Sequence, residues 1–141
     1  MRFMMMVKAS PESEQGALPD ETLLRPMMKY NEELAKAGVL LDLNGLHPSS
    51  RGVRIKISGG ERSVLDGPFA EPNKLIAGYW VIKVKSKEEA IAWAKRVPAP
   101  RGAGKEAEIE LRQVFELEDF GPDRAASCAR EIGNTIASTQ R

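Results

Sequence analysis

Residues 75–84 read Leu-Ile-Ala-Gly-Tyr-Trp-Val-Ile-Lys-Val, a run in which both alternating sets of side chains are apolar. A strand with one wet face would alternate apolar and polar residues, so this pattern predicts a strand covered on both faces. Tyr79 and Trp80 then point to opposite faces, one toward helices and one toward whatever covers the second face. Gly78 permits a close approach of neighbouring backbone.

A second strand of this kind and the first helix lie earlier in the chain. Residues 2–8, RFMMMVK, are also apolar on both faces and predict another central strand. Residues 21–37 carry an apolar stripe at helical spacing and end before Gly38, although Pro26 requires this helix to start late or to bend. The apolar run of residues 39–46 follows directly and completes a right-handed βαβ unit.

The rest of the chain adds a hairpin, a helix and a last strand. Residues 53–58 and 61–66 flank Gly59-Gly60 and predict a hairpin with one wet face. A capping box at Ser86 starts a helix that ends before Pro98, and residues 108–117 form the final strand. The order predicts an α+β fold, a ferredoxin-like split βαβ with an inserted β-hairpin. We expect one domain over residues 1–121 and a C-terminal helical appendage over residues 122–141.

Two helices cover only one face of such a sheet. The second face of the central strands would remain in water as an apolar patch larger than a monomer normally exposes. For identical chains the simplest cover is a two-fold dimer in which two sheets face each other and close a barrel. The sequence therefore predicts a homodimer in which two facing sheets close a barrel.

Composition excludes several classes of function. The chain has 141 residues and a net charge of +1, so it has no overall field for nucleic acid or an anionic membrane surface. One Cys and one His cannot form an internal disulfide or a Cys/His zinc site. Neither a long apolar span nor a nucleotide-binding glycine loop is present, so we expect a cytoplasmic protein with no metal and no cofactor.

Two motifs carry a resemblance to a known family. Asp66-Gly67-Pro68-Phe69-Ala70-Glu71 and Gly45-Leu46-His47-Pro48-Ser49 resemble the YCII-related proteins of the DGPF-domain type, and the resemblance extends over residues 1–121. It implies a fold of the dimeric α+β barrel superfamily. In some YCII-like relatives it also implies ring-lactone chemistry, such as dehalogenation, with a His–Asp pair. At the corresponding positions this chain has Met27-Met28 after Arg25-Pro26, and Val97 before Pro98, so both partners of that pair are absent.

A His–Asp unit in this chain must therefore come from other residues. His47 is the only histidine, the side chain that most readily exchanges protons near neutral pH, and it is our candidate general base. Asp66 is the candidate that orients it. The alternatives are a strand-end His bound to a loop and an Asp that accepts backbone hydrogen bonds in the Gly67-Pro68 turn.

Four further residues are candidates for substrate binding. Ser49 could hold a polar or anionic group, and Phe69 and Tyr79 could wall a pocket, while Glu71 is a second carboxylate beside the DGPF motif. Turn composition, core packing and an exposed loop charge are the plain alternatives for these residues. The interpretation is a protein that binds a small organic molecule in a barrel pocket, with cofactor-free isomerase- or lyase-like acid/base chemistry; a non-catalytic ligand-binding or regulatory interaction module is the alternative.

Overall fold

The computed structural model describes residues 1–139 and contains one four-stranded antiparallel sheet with the strand order β2-β5-β1-β6. A separate hairpin, β3 with β4, has Ser58 opposite Glu61 across the two-glycine turn. The six strands are β1 (Arg2–Lys8), β2 (Leu40–Gly45), β3 (Val53–Ser58), β4 (Glu61–Asp66), β5 (Ile76–Lys83) and β6 (Ile109–Gln113).

Two of the four helices pack on one face of the sheet. Helix α2 begins after the N-cap Asp20, whose carboxylate accepts the Leu23 N–H, and it continues through Pro26. Helix α3 begins after Ser86, whose hydroxyl accepts the Glu89 N–H as the capping motif predicts. The helices are α1 (Pro11–Glu14), α2 (Glu21–Lys36), α3 (Lys87–Lys95) and α4 (Pro122–Thr139).

The predicted fold class is confirmed by the strand order. When the inserted hairpin is set aside, β1, β2, β5 and β6 follow the split βαβ pattern, in which β1 and β5 lie side by side at the centre. These are the two strands that the sequence predicted to be apolar on both faces. The molecule is therefore an α+β protein with a ferredoxin-like sheet and an inserted hairpin.

The core lies between this sheet and helices α2 and α3. Trp80 is buried there in edge-to-face contact with Tyr30, with 5.5 Å between ring centroids. The Trp80 indole N–H donates to Asn31 Oδ1, so its one polar atom is satisfied. Burial raises the pKa of Tyr30 to about 12. The central members of the core are Phe3, Met5, Tyr30, Leu34, Val39, Trp80, Ile82, Val84 and Ala90.

Within residues 1–139 the helices that form the core lie on one side of the sheet, and the opposite side is called the open face here. Alternation along β1 and β5 places Met4, Met6, Tyr79 and Val81 on it, since Met4 is paired with Val81 and Met6 with Tyr79. The expected division of Tyr79 and Trp80 between the two faces is thus present. Met6 is only 7% exposed, whereas its three neighbours are partly exposed.

The hairpin and the C-terminal helix stand apart from the core. The hairpin was expected to have one wet face, but every residue of β3 and β4 is exposed, including Ile55, Ile57 and Val64 at 52–63%. Helix α4 packs mainly on the 3-10 turn Leu117–Phe120 and leaves Ile132 and Ile136 half exposed. The last two residues of the predicted appendage, 140–141, lie outside the described residues.

Two element boundaries differ from the sequence-based expectation. The final strand ends at Gln113 rather than at residue 117, because Phe115 turns away to stack on Phe120 with 5.1 Å between centroids. A short helix that the sequence did not predict, α1, also follows β1, and its N-cap Ser10 forms a reciprocal capping box with Ser13.

Candidate functional site

The edge of the open face along β2 carries a cluster of three polar side chains, Asp42, Asn44 and Tyr79. The Asn44 side-chain amide donates to the Tyr79 hydroxyl oxygen at 3.0 Å and to Asp42 Oδ1 at 3.2 Å. The Tyr79 hydroxyl lies 3.5 Å from Asp42 Oδ2. These three residues, which we call the Asp42 cluster, border the apolar surface of Met4, Met6 and Val81.

Strand register brings the cluster together. Asn44 lies opposite Tyr79 and Asp42 opposite Val81 in the β2–β5 pair, so these side chains share one face. A Cβ on Gly78 would be 3.0 Å from the Asn44 carbonyl oxygen. The glycine therefore allows the two backbones to approach closely beside the cluster, as its position in the sequence led us to expect.

Two ion pairs lie elsewhere on the open face. Lys8 Nζ lies 3.0 Å from Glu110 Oε1, and Arg2 Nε lies 2.9 Å from Glu116 Oε1. The hydrogen bond from Arg2 holds the pKa of the Glu116 carboxyl below its usual range. These two pairs flank the apolar centre of the face.

The DGPF motif lies at a junction of three segments rather than in an open pocket. The Ser49 hydroxyl bonds to the Glu14 carboxylate and accepts the Phe69 N–H at 3.0 Å, while the Ser49 N–H donates to Glu14 Oε1 at 3.0 Å. A Cβ at Gly67 would be 1.7 Å from the Ser49 carbonyl oxygen, so only glycine fits there. Ser49 is thus engaged in joining α1, the β2–β3 loop and the β4–β5 loop.

His47 is exposed two residues beyond the end of β2, where Arg51 Nη1 lies 3.3 Å from each of its ring nitrogens. Asp66 is exposed at the end of β4, opposite Val53. Within residues 1–139 the Asp66 carboxylate makes no hydrogen bond to His47 or to the turn; the bond there runs from the Gly67 N–H to the Gly52 carbonyl at 3.0 Å. The two candidate catalytic residues are not in hydrogen-bond contact.

The remaining candidates lie in different surroundings. The Arg54 guanidinium lies 3.9 Å from the centre of the half-buried Phe69 ring, a cation–π contact. Glu71 is exposed, has φ 63° and pairs with Lys74 at 2.7 Å. Among the residues expected to bind substrate, the structure joins Ser49 to the Phe69 backbone and places Tyr79 in the separate Asp42 cluster.

Sequence reasoning missed Asp42 and Asn44. Both stand in the expected strand of residues 39–46, where a polar residue at every second position is typical of a wet strand face. The available signal was the pairing of that strand with residues 75–84, which sets Asn44 beside Tyr79. Nothing in the sequence fixes that register to the residue.

Within residues 1–139 no three His, Cys, Asp or Glu side chains are grouped so that they could hold a metal ion. None of the helices in this range is both long enough and apolar enough to span a bilayer.

Residues 1–118 match the YCII-related domain. An uncharacterized protein of Rhizobium meliloti (strain 1021) is 32% identical over 76 residues, which are 54% of this chain and 61% of that protein. The chain thus spans about three fifths of the length of this relative. A solved structure of 5-chloro-2-hydroxyhydroquinone dehydrochlorinase (TftG) from Burkholderia phenoliruptrix AC1100, in complex with 2,5-dihydroxybenzoquinone, is 14% identical with a TM-score of 0.47, covering 82% of this chain and 95% of that one.

Proposed function

This chain belongs to the YCII-related domain family, and we propose that it is a cytoplasmic homodimer that binds a small organic molecule against the open face of its sheet. The observation that carries this proposal is the open face itself, where the apolar centre of Met4, Met6 and Val81 borders a polar cluster. Binding sites combine a mostly apolar wall with a few placed polar groups. The single cysteine, which has no partner for a disulfide, suits a reducing compartment.

The second copy supplies the cover that the site needs. Helices α2 and α3 pack on one face of the sheet, which leaves the open face for a second copy to cover. The exposed apolar residues of the hairpin, Val53, Ile55 and Val64, add to the surface that a second copy can bury. Two facing sheets would enclose the ligand between them in a barrel.

The chemistry we propose is cofactor-free proton transfer of the isomerase or lyase type. His47 would serve as the general base and Asp66 as the residue that orients it, with Ser49, Phe69, Glu71 and Tyr79 toward the substrate. Tyr79 is the member of this set whose position on the open face supports the proposal directly.

A specific observation favours a second candidate, a non-catalytic ligand-binding or regulatory module. His47 contacts Arg51 rather than Asp66, and the Ser49 hydroxyl is engaged by Glu14 and by the Phe69 N–H. In this case the DGPF motif is a structural junction, and the open face binds its ligand without converting it.

Methyl NMR of the six methionines tests the ligand site. A library of small alicyclic and aromatic compounds should contain members that shift the Met4 and Met6 methyl signals. The Met27 methyl, which packs against the core from α2, is the internal control and should stay unchanged. Ligands that move only Met27, or none of the three signals, would contradict a site on the open face.

If a compound that binds is also converted to a product, its turnover can be used to test the catalytic function against the binding function. His47→Gln keeps a polar side chain but removes the base, so turnover should drop by about 100-fold or more while binding persists. Full turnover by this variant would rule out His47 as the base. Absence of conversion for all bound compounds favours the binding module.

A further inference from the structure

The Asp42 cluster leaves one carboxylate oxygen almost unused. Asp42 Oδ1 accepts two hydrogen bonds, from the Leu43 N–H at 2.9 Å and from the Asn44 amide at 3.2 Å. Asp42 Oδ2 has only the Tyr79 hydroxyl, at 3.5 Å, which is beyond the usual range for an O–H···O bond. A carboxylate oxygen accepts hydrogen bonds readily, so Oδ2 is the acceptor of the cluster that retains the most capacity for a further donor.

The same cluster leaves one hydroxyl proton available. The Tyr79 oxygen accepts from the Asn44 amide at 3.0 Å, which fixes the direction of one lone pair. Its own O–H has only the long contact to Asp42 Oδ2. Since both amide hydrogens of Asn44 are used, Asn44 acts as the positioning residue that holds an unsatisfied donor and an unsatisfied acceptor side by side.

We propose that this pair recognises an uncharged hydroxyl group, that of an alcohol, a phenol or an enol, on a molecule whose apolar body lies on Met4 and Val81, beside the buried Met6. The ligand hydroxyl would donate to Asp42 Oδ2 and accept from the Tyr79 O–H, so both unmet groups are satisfied by one group of matching chemistry. The inference rests on the proposed function, because it names the ligand class of that same open face.

Charge decides against acids at this position. A ligand carboxylate could accept from Tyr79, but it would lie beside the Asp42 carboxylate and has no proton to give to Oδ2. A purely apolar ligand of the same shape would leave both groups unmet, which weakens binding to a site built around them. The cluster should therefore rank hydroxyl compounds above isosteric acids and hydrocarbons.

Three matched probes test this ranking: 4-methylphenol, 1,4-dimethylbenzene and 4-methylbenzoate. Their dissociation constants are measured from the shifts of the Met4 and Met6 methyl signals. We expect the phenol to bind about tenfold more tightly than the hydrocarbon, a difference of roughly 1.4 kcal/mol. The benzoate should bind no better than the hydrocarbon. Tighter binding of the benzoate than of the phenol would overturn the inference.

Amino-acid substitutions test whether the Asp42 cluster causes the difference in affinity between the phenol and the hydrocarbon. Tyr79→Phe and Asp42→Asn should each weaken phenol binding about tenfold and leave the affinity for 1,4-dimethylbenzene unchanged. Glu88→Gln, an exposed acid of α3 on the helix side, is the control and should change neither affinity. Each variant is first shown to keep the wild-type mass and unfolding midpoint.

Two failures can be told apart. If the phenol still moves Met4 and Met6 but Tyr79→Phe and Asp42→Asn bind it as the wild type does, the hydroxyl inference is wrong and the ligand face stands. If no probe moves Met4 or Met6 in the wild type, the proposed function fails, and the inference fails with it.

Discussion

Ser49 joins three segments of the chain through one hydroxyl group, which bonds to Glu14 and accepts the Phe69 N–H. We expect Ser49→Ala to lower the free energy of unfolding by about 1–3 kcal/mol, because it leaves partly buried polar groups without a partner. Ser50→Ala changes an exposed hydroxyl in the same turn and should alter stability by about 0.5 kcal/mol or less. Urea unfolding of both variants measures the difference. Equal values would contradict the structural role of Ser49.

Glu12 and Arg101 tie α1 to the loop before β6 and give stability a pH dependence. Hydrogen bonds from Arg101 lower the pKa of Glu12 from 4.5 to about 2. Because folding lowers this pKa, the contribution of the pair is complete above about pH 4.5 and is lost as the pH falls toward 2. Urea midpoints measured across this range should decline less steeply for Glu12→Gln than for the wild type. Arg101→Gln should show the same flattening, and a full decline in either variant would exclude the pair.

Single residues were the least predictable level of this structure. The sequence identified Gly78, Trp80 and the Ser86 cap, because each acts within its own element or its immediate neighbours. It did not identify Asp42 and Asn44 as partners of Tyr79, because that contact depends on which residues of two distant strands lie opposite each other. The partner of His47, Arg51, also had to be seen in three dimensions.

Within residues 1–139 helix α4 packs mainly on the 3-10 turn Leu117–Phe120, and we propose that residues 122–141 are an appendage to a domain of residues 1–121. Removal of residues 122–141 should change the free energy of unfolding by about 0.5 kcal/mol or less, because no core contact is lost. Thermal or urea unfolding at equal protein concentration measures this.

A longer truncation provides the contrast. Removal of residues 114–141 also deletes Glu116, which forms a salt bridge with Arg2. It deletes the Val114 N–H as well, which donates to the Arg2 carbonyl at 2.9 Å. This truncation should be clearly destabilising. If the shorter one is equally destabilising, the boundary at residue 121 is wrong.

Most elements followed from local pattern, and the exceptions have physical causes. The central strands and helices were recognisable because burial imposes a period on their side chains. The end of β6 was not, because Phe115 contacts Phe120 and residues 114–117 of the expected strand lie outside β6. The hairpin sequence is apolar on one face, which led us to expect that this face is covered. Both faces of β3 and β4 are exposed, because a sequence pattern indicates that a face can be buried but not what buries it.

Aspartate substitutions at Val81 and at Val84 separate an effect on dimer assembly from an effect on folding. Val81 lies on the open face opposite Met4, whereas Val84 is 4% exposed in the core. Val81→Asp should convert a dimer into a folded monomer near 15.5 kDa, because an unpaired charge between two sheets is strongly unfavourable. Val84→Asp should instead unfold the chain. Light scattering with circular dichroism checks both, and a wild-type protein that is monomeric at micromolar concentration would refute the dimer.

The strand order also matters while the protein is being made. Phe3 of β1 pairs with Ile82 on one side and with Gln113 on the other. This central strand can therefore form its hydrogen bonds only after both downstream segments have been synthesised. A nascent chain on the ribosome therefore displays RFMMMVK, apolar on both sides, until β5 has emerged. Long-range strand pairing of this kind is slow, and it leaves aggregation-prone apolar surface exposed during folding. Chaperones that bind short apolar segments near the tunnel exit should bind this strand, and its release has to wait until β5 has been translated.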